Sequence, residues 1–274
     1  MEVGGDLSAS TGMRRLKKLL AWLAALVSLA TAMAALAWWG FLHWQPDRGR
    51  HPLRGIDVSH HQGAIDWTAV AHDDVAFAYL KASEGGDHRD RLFAENWRSA
   101  RAAGVATGAY HFFTFCRSGA EQARNFIAAV PVEADALPPA VDLEFGGNCG
   151  ARPDGAAMRV ELDAFLAAVE NAYAKPALLY VTPEFFDAYR ESLPARALWR
   201  RSIVRAPDAR AAWALWQYHN RARVDGIVGP VDLNVYAGDG AAFERWRDQA
   251  IAPLLPLRMD GDRVGRRGNE KSRP

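Results

Sequence analysis

Val141-Asp142-Leu143-Glu144-Phe145 alternates apolar and acidic side chains with a period of two. In a strand that period sends Asp142 and Glu144 to one face and Val141, Leu143 and Phe145 to the other. Mutual repulsion between two such carboxyls raises the pKa of one, so that it can hold a proton near neutral pH, as a general acid must. A pair of surface carboxylates on an amphipathic edge is the competing reading. The apolar residues flanking the pair on both sides speak against it.

Strand and helix signals alternate on either side of this stretch. Strands are expected over 54–59, 75–82, 106–113, 140–145 and 177–181. Between and after them lie a helical turn capped by Asp66 and starting at Trp67, a helix over 92–103 closed by Gly104, and a helix opened by Ser118 with Glu121 three residues on and stopped by Pro131. A longer helix over 156–173 has Val160, Phe165, Leu166 and Val169 as its apolar stripe, and Thr182-Pro183 starts a short one. The pattern then changes: 198–204, 213–218 and 231–236 are expected strands joined by loops too short or too polar for full helices. Five βα units followed by three strands define an α/β fold, an irregular TIM-like barrel over residues 54–252. Its active-site candidates are polar residues at the C-terminal strand ends.

Before the barrel comes a compositional break. Leu19 to Leu42 is apolar apart from Ser28, Thr31 and Gly40, and at about 1.5 Å per residue it spans roughly 36 Å as a helix, enough to cross a bilayer core. Arg14, Arg15, Lys17 and Lys18 precede it, and Trp38, Trp39 and Trp44 suit the far interface. Residues 1–18 are therefore expected in the cytoplasm, 19–42 as a transmembrane signal anchor, 43–53 as a linker, and the barrel outside the cytoplasm. A cleaved signal peptide, with small residues around Ala30, Ala32 and Ala34, would secrete the domain instead; the apolar run is longer than a usual signal core. The segment 253–274, rich in Arg, Gly and Asp, is expected to be a disordered tail.

The 33 basic and 32 acidic side chains nearly cancel, so no general attraction to nucleic acid phosphate is expected. No H-E-x-x-H, C-x-x-C, G-x-S-x-G or P-loop occurs, which disfavours zinc peptidases, serine hydrolases and nucleotide enzymes. His60 and His61 are adjacent, and neighbouring strand residues point opposite ways, so a shared metal ion is disfavoured. No metal or cofactor is implied. Nothing fixes the oligomeric state, and a monomer is the expectation. Cys116 and Cys149, the only cysteines, can pair in an oxidising compartment.

Two further acids lie within apolar strands: Asp57 in Gly55-Ile56-Asp57-Val58-Ser59 and Asp232 in Val231-Asp232-Leu233-Asn234-Val235. Closing the barrel makes their strands neighbours, facing Asp142 and Glu144. Four inward acids with no metal-ligand set fit acid-assisted cleavage of a glycosidic bond, for which two carboxyls are the minimum. Tyr110 and Tyr180 could support sugar faces, with barrel packing as the alternative, and packing is the better reading of Phe112. Gln217 could add an amide contact. Lys81 and Glu84 could pair with each other or touch substrate.

The chain resembles the glycoside hydrolase family 25 muramidases, the Chalaropsis-type lysozymes. The resemblance is carried by Asp57-Val58-Ser59 with Gln62-Gly63, Lys81-Ala82-Ser83-Glu84-Gly85, Gly108-Ala109-Tyr110-His111-Phe112, Asp142-Leu143-Glu144, Trp216-Gln217-Tyr218 and Asp232-Leu233-Asn234. It spans about residues 54–236, and although each piece alone is weak, their order and spacing together are specific. It implies cleavage of the β-1,4 bond between N-acetylmuramic acid and N-acetylglucosamine in peptidoglycan. Glu144 would be the proton donor, with Asp142, Asp57 and Asp232 as surrounding acids; Asp142 would serve either as nucleophile or to orient the substrate's acetamido group. A non-catalytic peptidoglycan-binding protein and a metal-dependent polysaccharide deacetylase are the rival classes. No wall-binding repeat is present, and the anchor would take its place.

Overall fold

The structure, a computed structural model, describes residues 6–208 and 212–250. The expected tail over 253–274 lies outside the described residues. Nine strands are found among them: β1 (Arg54–Val58), β2 (Phe77–Glu84), β3 (His88–Arg89), β4 (Ala106–Phe112), β5 (Ala140–Leu143), β6 (Leu178–Val181), β7 (Leu198–Arg201), β8 (Trp213–Ala222) and β9 (Val231–Tyr236). Eight close into a barrel in the order β1-β2-β4-β5-β6-β7-β8-β9, and β3 only folds back on β2. The helices are α1 (Asp6–Leu42), α2 (Trp67–His72), α3 (Phe93–Ala102), α4 (Gly119–Ala129), α5 (Gly155–Tyr173), α6 (Pro183–Tyr189) and α7 (Gly240–Arg247). This is the expected barrel, with five βα units and then three strands. The hairpin strand β3 and helix α7 were not foreseen.

One departure from a standard βα barrel shapes the site. The strands run parallel from β1 through β8, but β9 is antiparallel to both β8 and β1. Its first residues therefore lie at the same rim as the C-terminal ends of the other strands.

Strand alternation divides the core in two. Ile56, Val58, Leu80, Val141, Leu143 and Val181 point outward into the layer shared with the helices, whereas Phe77, Tyr79, Ala140, Leu178, Trp199 and Leu215 fill the barrel. Large rings are matched to missing side chains on the adjacent strand. Gly55 is in register with Phe77, and a Cβ there would come within 2.2 Å of the Phe77 ring; Gly108 is in register with Tyr79, and a Cβ there would come within 2.5 Å of it. These contacts explain two glycines in strands, where glycine is otherwise unfavourable.

The helices begin where the side chains direct. Asp66 accepts from the backbone N–H of Thr68 and Ala69, Asp154 from Ala157 and Thr182 from Phe185. Ser118 caps α4 by accepting from Glu121 N. The buried stripe of α5 is Met158, Leu162, Phe165, Leu166 and Val169; Val160, placed in that stripe by the sequence reading, is 65% exposed because it lies about 200° around the helix from Leu162.

Helix α1 includes an apolar stretch, Gly12–Leu42, long enough to cross a membrane. It begins within the expected cytoplasmic segment, at Asp6. The expected linker is not a free tether. Trp44 packs edge-on to Trp216 and Tyr218, Pro46 is buried, and the His51 ring lies against Trp213 and Trp216. Among the described residues, strands β7 and β8 are followed by no helix of their own, so their outer face is left for this segment to cover.

Cys116 and Cys149 form a disulfide that ties the loop after β4 to the loop after β5. Asn148 reinforces the tie: its Oδ1 accepts from Phe115 N, and its Nδ2 donates to Phe113 O and Glu144 O. On the chain-entropy account, replacing both cysteines by serine should lower the unfolding free energy by about 3–4 kcal/mol, measured by urea denaturation.

Candidate active site

The strand expected over 140–145 ends at Leu143, so Asp142 is its last inward-facing residue and Glu144 stands just beyond it. The backbone turns away there because Asn148 holds the Glu144 carbonyl and Gly147 adopts φ +71°. Both carboxyls still face one cleft, of about 280 Å³, lined by Asp57, Tyr110, Asp142, Glu144, Tyr180, Trp199, Arg201, Gln217, Asn220 and Asp232. All four expected acids thus converge, together with Tyr110, Tyr180 and Gln217. Glu84 does not line the cleft. Its carboxylate is held by Lys81 Nζ at 2.6 Å, and Lys81 lies 4.8 Å from the centre of the buried Phe112 ring.

Asp57 and Asp232 are direct cross-strand partners of β1 and β9. Asp57 is buried, and its Oδ2 accepts from Gln217 Nε2 at 3.0 Å and Asn234 Nδ2 at 2.7 Å. Each amide is oriented from behind: Tyr180 OH donates to Gln217 Oε1 at 3.0 Å, and Trp199 Nε1 donates to Asn234 Oδ1 at 2.7 Å. Gln217 therefore uses both ends of its amide within the protein and positions Asp57. Burial raises the Asp57 pKa, and the two amide donors oppose that rise. Asp232 is pushed up to about 8, by burial first and then by the Asp57 charge beside it. Of this pair, Asp232 is the member that keeps the proton.

The second pair behaves differently. No donor reaches either carboxyl oxygen of Asp142 among the described residues, and its Oδ1 is fully buried. Burial, then the charges of Glu144 and Asp57, hold its pKa well above the usual carboxylate range. Glu144 is raised mainly by burial, with the Arg201 guanidinium opposing. Two neighbouring carboxyls that both resist ionisation favour a shared proton, and that proton is the acid the cleft can supply.

Sequence reasoning missed Arg201, Asn220 and Trp199. Arg201 is the only cation lining the cleft among the described residues. It makes no hydrogen bond or ion pair among the described residues, yet its charge lowers the pKa of Asp57, Glu144 and Asp232. Alternation within 198–204 could have found it, since Trp199 and Arg201 share a face. Asn220 could not be found in that way. The β8–β9 register is irregular between Gln217 and His219 and again before Ala222, so Gln217 and Asn220 both reach the cleft although they lie three positions apart, which regular alternation would send to opposite faces.

The adjacent histidines lie off the cleft. His60 Nδ1 is 2.9 Å from Asp90 Oδ2, which also accepts from His60 N, and Ser59 and Gln62 form a reciprocal cap around this turn. His111 is buried between Ser83 and Gln122, and burial lowers its pKa to about 4, so it is a neutral packing element.

A βα barrel with buried, proton-retaining carboxyls at its mouth defines a carboxylate-based glycoside hydrolase. Comparison with known proteins agrees. The profile described as glycosyl hydrolases family 25 matches residues 56–227. The Escherichia coli K12 protein YegX is 34% identical over 196 residues, covering 69% of this chain and 71% of its own, and lysozyme M1 of Streptomyces globisporus is 32% identical over 204 residues, covering 69% of each. Among solved structures, a family 25 glycosyl hydrolase from Bacillus anthracis superposes with TM-score 0.70 at 35% identity, over 75% of this chain and 97% of its own. The bacterial lysozyme of Streptomyces coelicolor does so with TM-score 0.65 at 28%, over 72% and 97%. The chain belongs to glycosyl hydrolase family 25. The profile match ends before Asp232, whose place in the site comes from the β1–β9 pairing.

Two outcomes check the electrostatics. Removing the Arg201 charge in Arg201→Met should raise the Glu144 pKa, so that the acid keeps its proton to higher pH; the alkaline limb of kcat/KM should move up by about one unit. A carboxyl whose pKa rises on folding binds more protons folded than unfolded. The stability contributed by Asp232 is therefore complete below about pH 4 and is lost as pH rises through about 8. Asp232→Asn should flatten that part of the decline in unfolding free energy, measured by urea titration across the range.

Proposed function

We propose that the protein is a muramidase that hydrolyses the β-1,4 bond between N-acetylmuramic acid and N-acetylglucosamine in peptidoglycan, and that α1 anchors it in the membrane with the barrel outside the cytoplasm. Membership of the family supports the substrate. The observation that carries the chemistry is the paired, buried Asp142 and Glu144 at one cleft. The anchor rests on the apolar stretch Gly12–Leu42 and the basic residues at its start.

In this reading Glu144 gives its proton to the leaving glycosidic oxygen. It stands beyond the strand end, open to the cleft, and the Arg201 and Lys81 charges favour the carboxylate it becomes. Asp142 is the partner on the other side of the anomeric carbon, and its lack of any donor favours the substrate-assisted route. The buried Oδ1 of Asp142 accepts no hydrogen bond among the described residues, and an N–H from the substrate's acetamido group supplies the one it lacks. That N–H contact would orient the acetamido oxygen toward the anomeric carbon. Water then completes hydrolysis, with Glu144 as base. Asp57 and Asp232 line the base of the cleft beneath the sugar, and Tyr110 offers a ring face and a hydroxyl that makes no hydrogen bond among the described residues.

Incubation of the purified protein with peptidoglycan, with and without a chelator, tests the assignment. New reducing ends that persist in chelator are expected. Binding without product would replace the enzyme by a binding module, and product lost with chelator would point to a metal-dependent hydrolase. Glu144→Gln keeps size and hydrogen bonding but removes the proton, so kcat should fall about 10²–10⁴-fold with thermal unfolding unchanged. Near-normal turnover would overturn the role of Glu144.

A further inference from the structure

The N-terminal segment meets the barrel in an ordered series along β8. Arg221 lies 5.9 Å from the centre of the Trp38 ring. His219 stacks on Phe41 at 4.8 Å, and its Nε2 is 2.9 Å from the Phe41 carbonyl oxygen. Trp44 packs on Tyr218 and Trp216, and His51 on Trp216 and Trp213. As the N-terminal chain advances, its partners on β8 move backwards, so the two run antiparallel.

The register of the barrel gives this series a direction. Leu215 pairs with Tyr236 at the floor, and Ala222 pairs with Val231 at the rim beside Asp232. His51, next to the Tyr236 carbonyl, is therefore at the floor, and Trp38 is at the rim. Residues 12–40 of α1 are exposed throughout, and burial begins at Phe41. Helix α1 thus leaves the barrel past its catalytic rim. The aromatic residues Trp38 and Trp39 that suit a bilayer interface stand level with the cleft opening.

The rim at this place is suited to lipid. Arg221 and Arg223 are exposed, and the β8–β9 loop presents Val228 at 88% exposure. Exposed cations where β8 reaches the rim match the anionic headgroups of an interface.

From these contacts we propose that the catalytic mouth faces the membrane from which the protein hangs, and that its substrate is glycan lying at the bilayer surface, including strands still attached to the membrane at one end. The proposal rests on α1 as an uncleaved anchor and on the muramidase reading. The strap of residues 41–51 fixes the orientation, because its aromatic contacts prevent the barrel from swivelling on a loose tether.

Probes at the two ends of the barrel test this in the full chain. The native cysteines are paired, so Val228→Cys at the rim and Val132→Cys at the floor each offer one reactive thiol for a fluorophore. Rim and floor are about 20 Å apart, six residues at roughly 3.3 Å each. Each labelled protein is reconstituted in vesicles of phosphatidylethanolamine and phosphatidylglycerol containing a headgroup-nitroxide lipid as quencher. Several-fold stronger quenching at Val228 than at Val132 is expected. A flexible Gly-Ser insertion between Leu42 and His43 should abolish the difference without changing hydrolysis of soluble glycan fragments. Equal quenching in the unmodified chain, or stronger quenching at Val132, overturns the orientation. Recovery of the protein free of vesicles overturns the anchor and the orientation with it. Correct orientation without hydrolysis of soluble fragments overturns the muramidase reading and the substrate half of the proposal.

Discussion

The site depends on keeping the Asp57 carboxylate buried at the centre of the barrel. Isolated, such a group would be neutralised or would destabilise the fold. Here two amide N–H groups converge on one of its oxygens, and a tyrosine hydroxyl and an indole N–H hold those amides. The chain Tyr180–Gln217–Asp57–Asn234–Trp199 joins β6, β8, β1, β9 and β7 in a single polar layer. Trp199 also packs on Tyr79 and Tyr180 at 5.0 and 4.9 Å, so the polar layer rests directly on the aromatic filling. Loss of one amide would leave a buried charge short of a donor and loosen the strands that close the barrel.

The proton inventory of the cleft follows from that layer. Asp57 has the donors and favours the charged form, so its neighbour Asp232 is pressed to keep a proton. Asp142 has no donors and lies close enough to feel both Asp57 and Glu144. The four carboxyls therefore do not ionise alike, although the sequence presents them as similar acids in apolar strands. Arg201 limits the accumulated negative charge without pairing to any one carboxyl among the described residues.

Much of this could be read from local pattern. Alternation brought out Asp142 and Glu144, apolar flanks brought out Asp57 and Asp232, and turn and capping residues located the five βα units. What could not be read depends on register. The antiparallel course of β9 brings Asp232 to the rim although it lies at the start of its strand, and strict βα logic would have placed it at the floor. The irregularity in β8 admits Asn220 and turns His219 outward, reversing what simple alternation gives. Gln217 looked like a free substrate contact because nothing in Trp216-Gln217-Tyr218 shows that both ends of its amide are already engaged.

The change from βα units to bare strands accounts for the behaviour of the N-terminal segment. A barrel strand has an outer apolar face that must be covered, and for β1, β2, β4, β5 and β6 the following helix covers it. Strand β8 has outward Trp216, Tyr218 and His219 but no helix after it. The segment entering the barrel brings Phe41, Trp44 and Pro46 to that face, and the irregular register that admits Asn220 to the cleft also turns His219 toward Phe41. Cleft and strap are therefore two sides of one irregular strand. A shift of β8 by one residue would exchange its inward and outward side chains, removing Gln217 from Asp57 and the aromatic seat from the strap together.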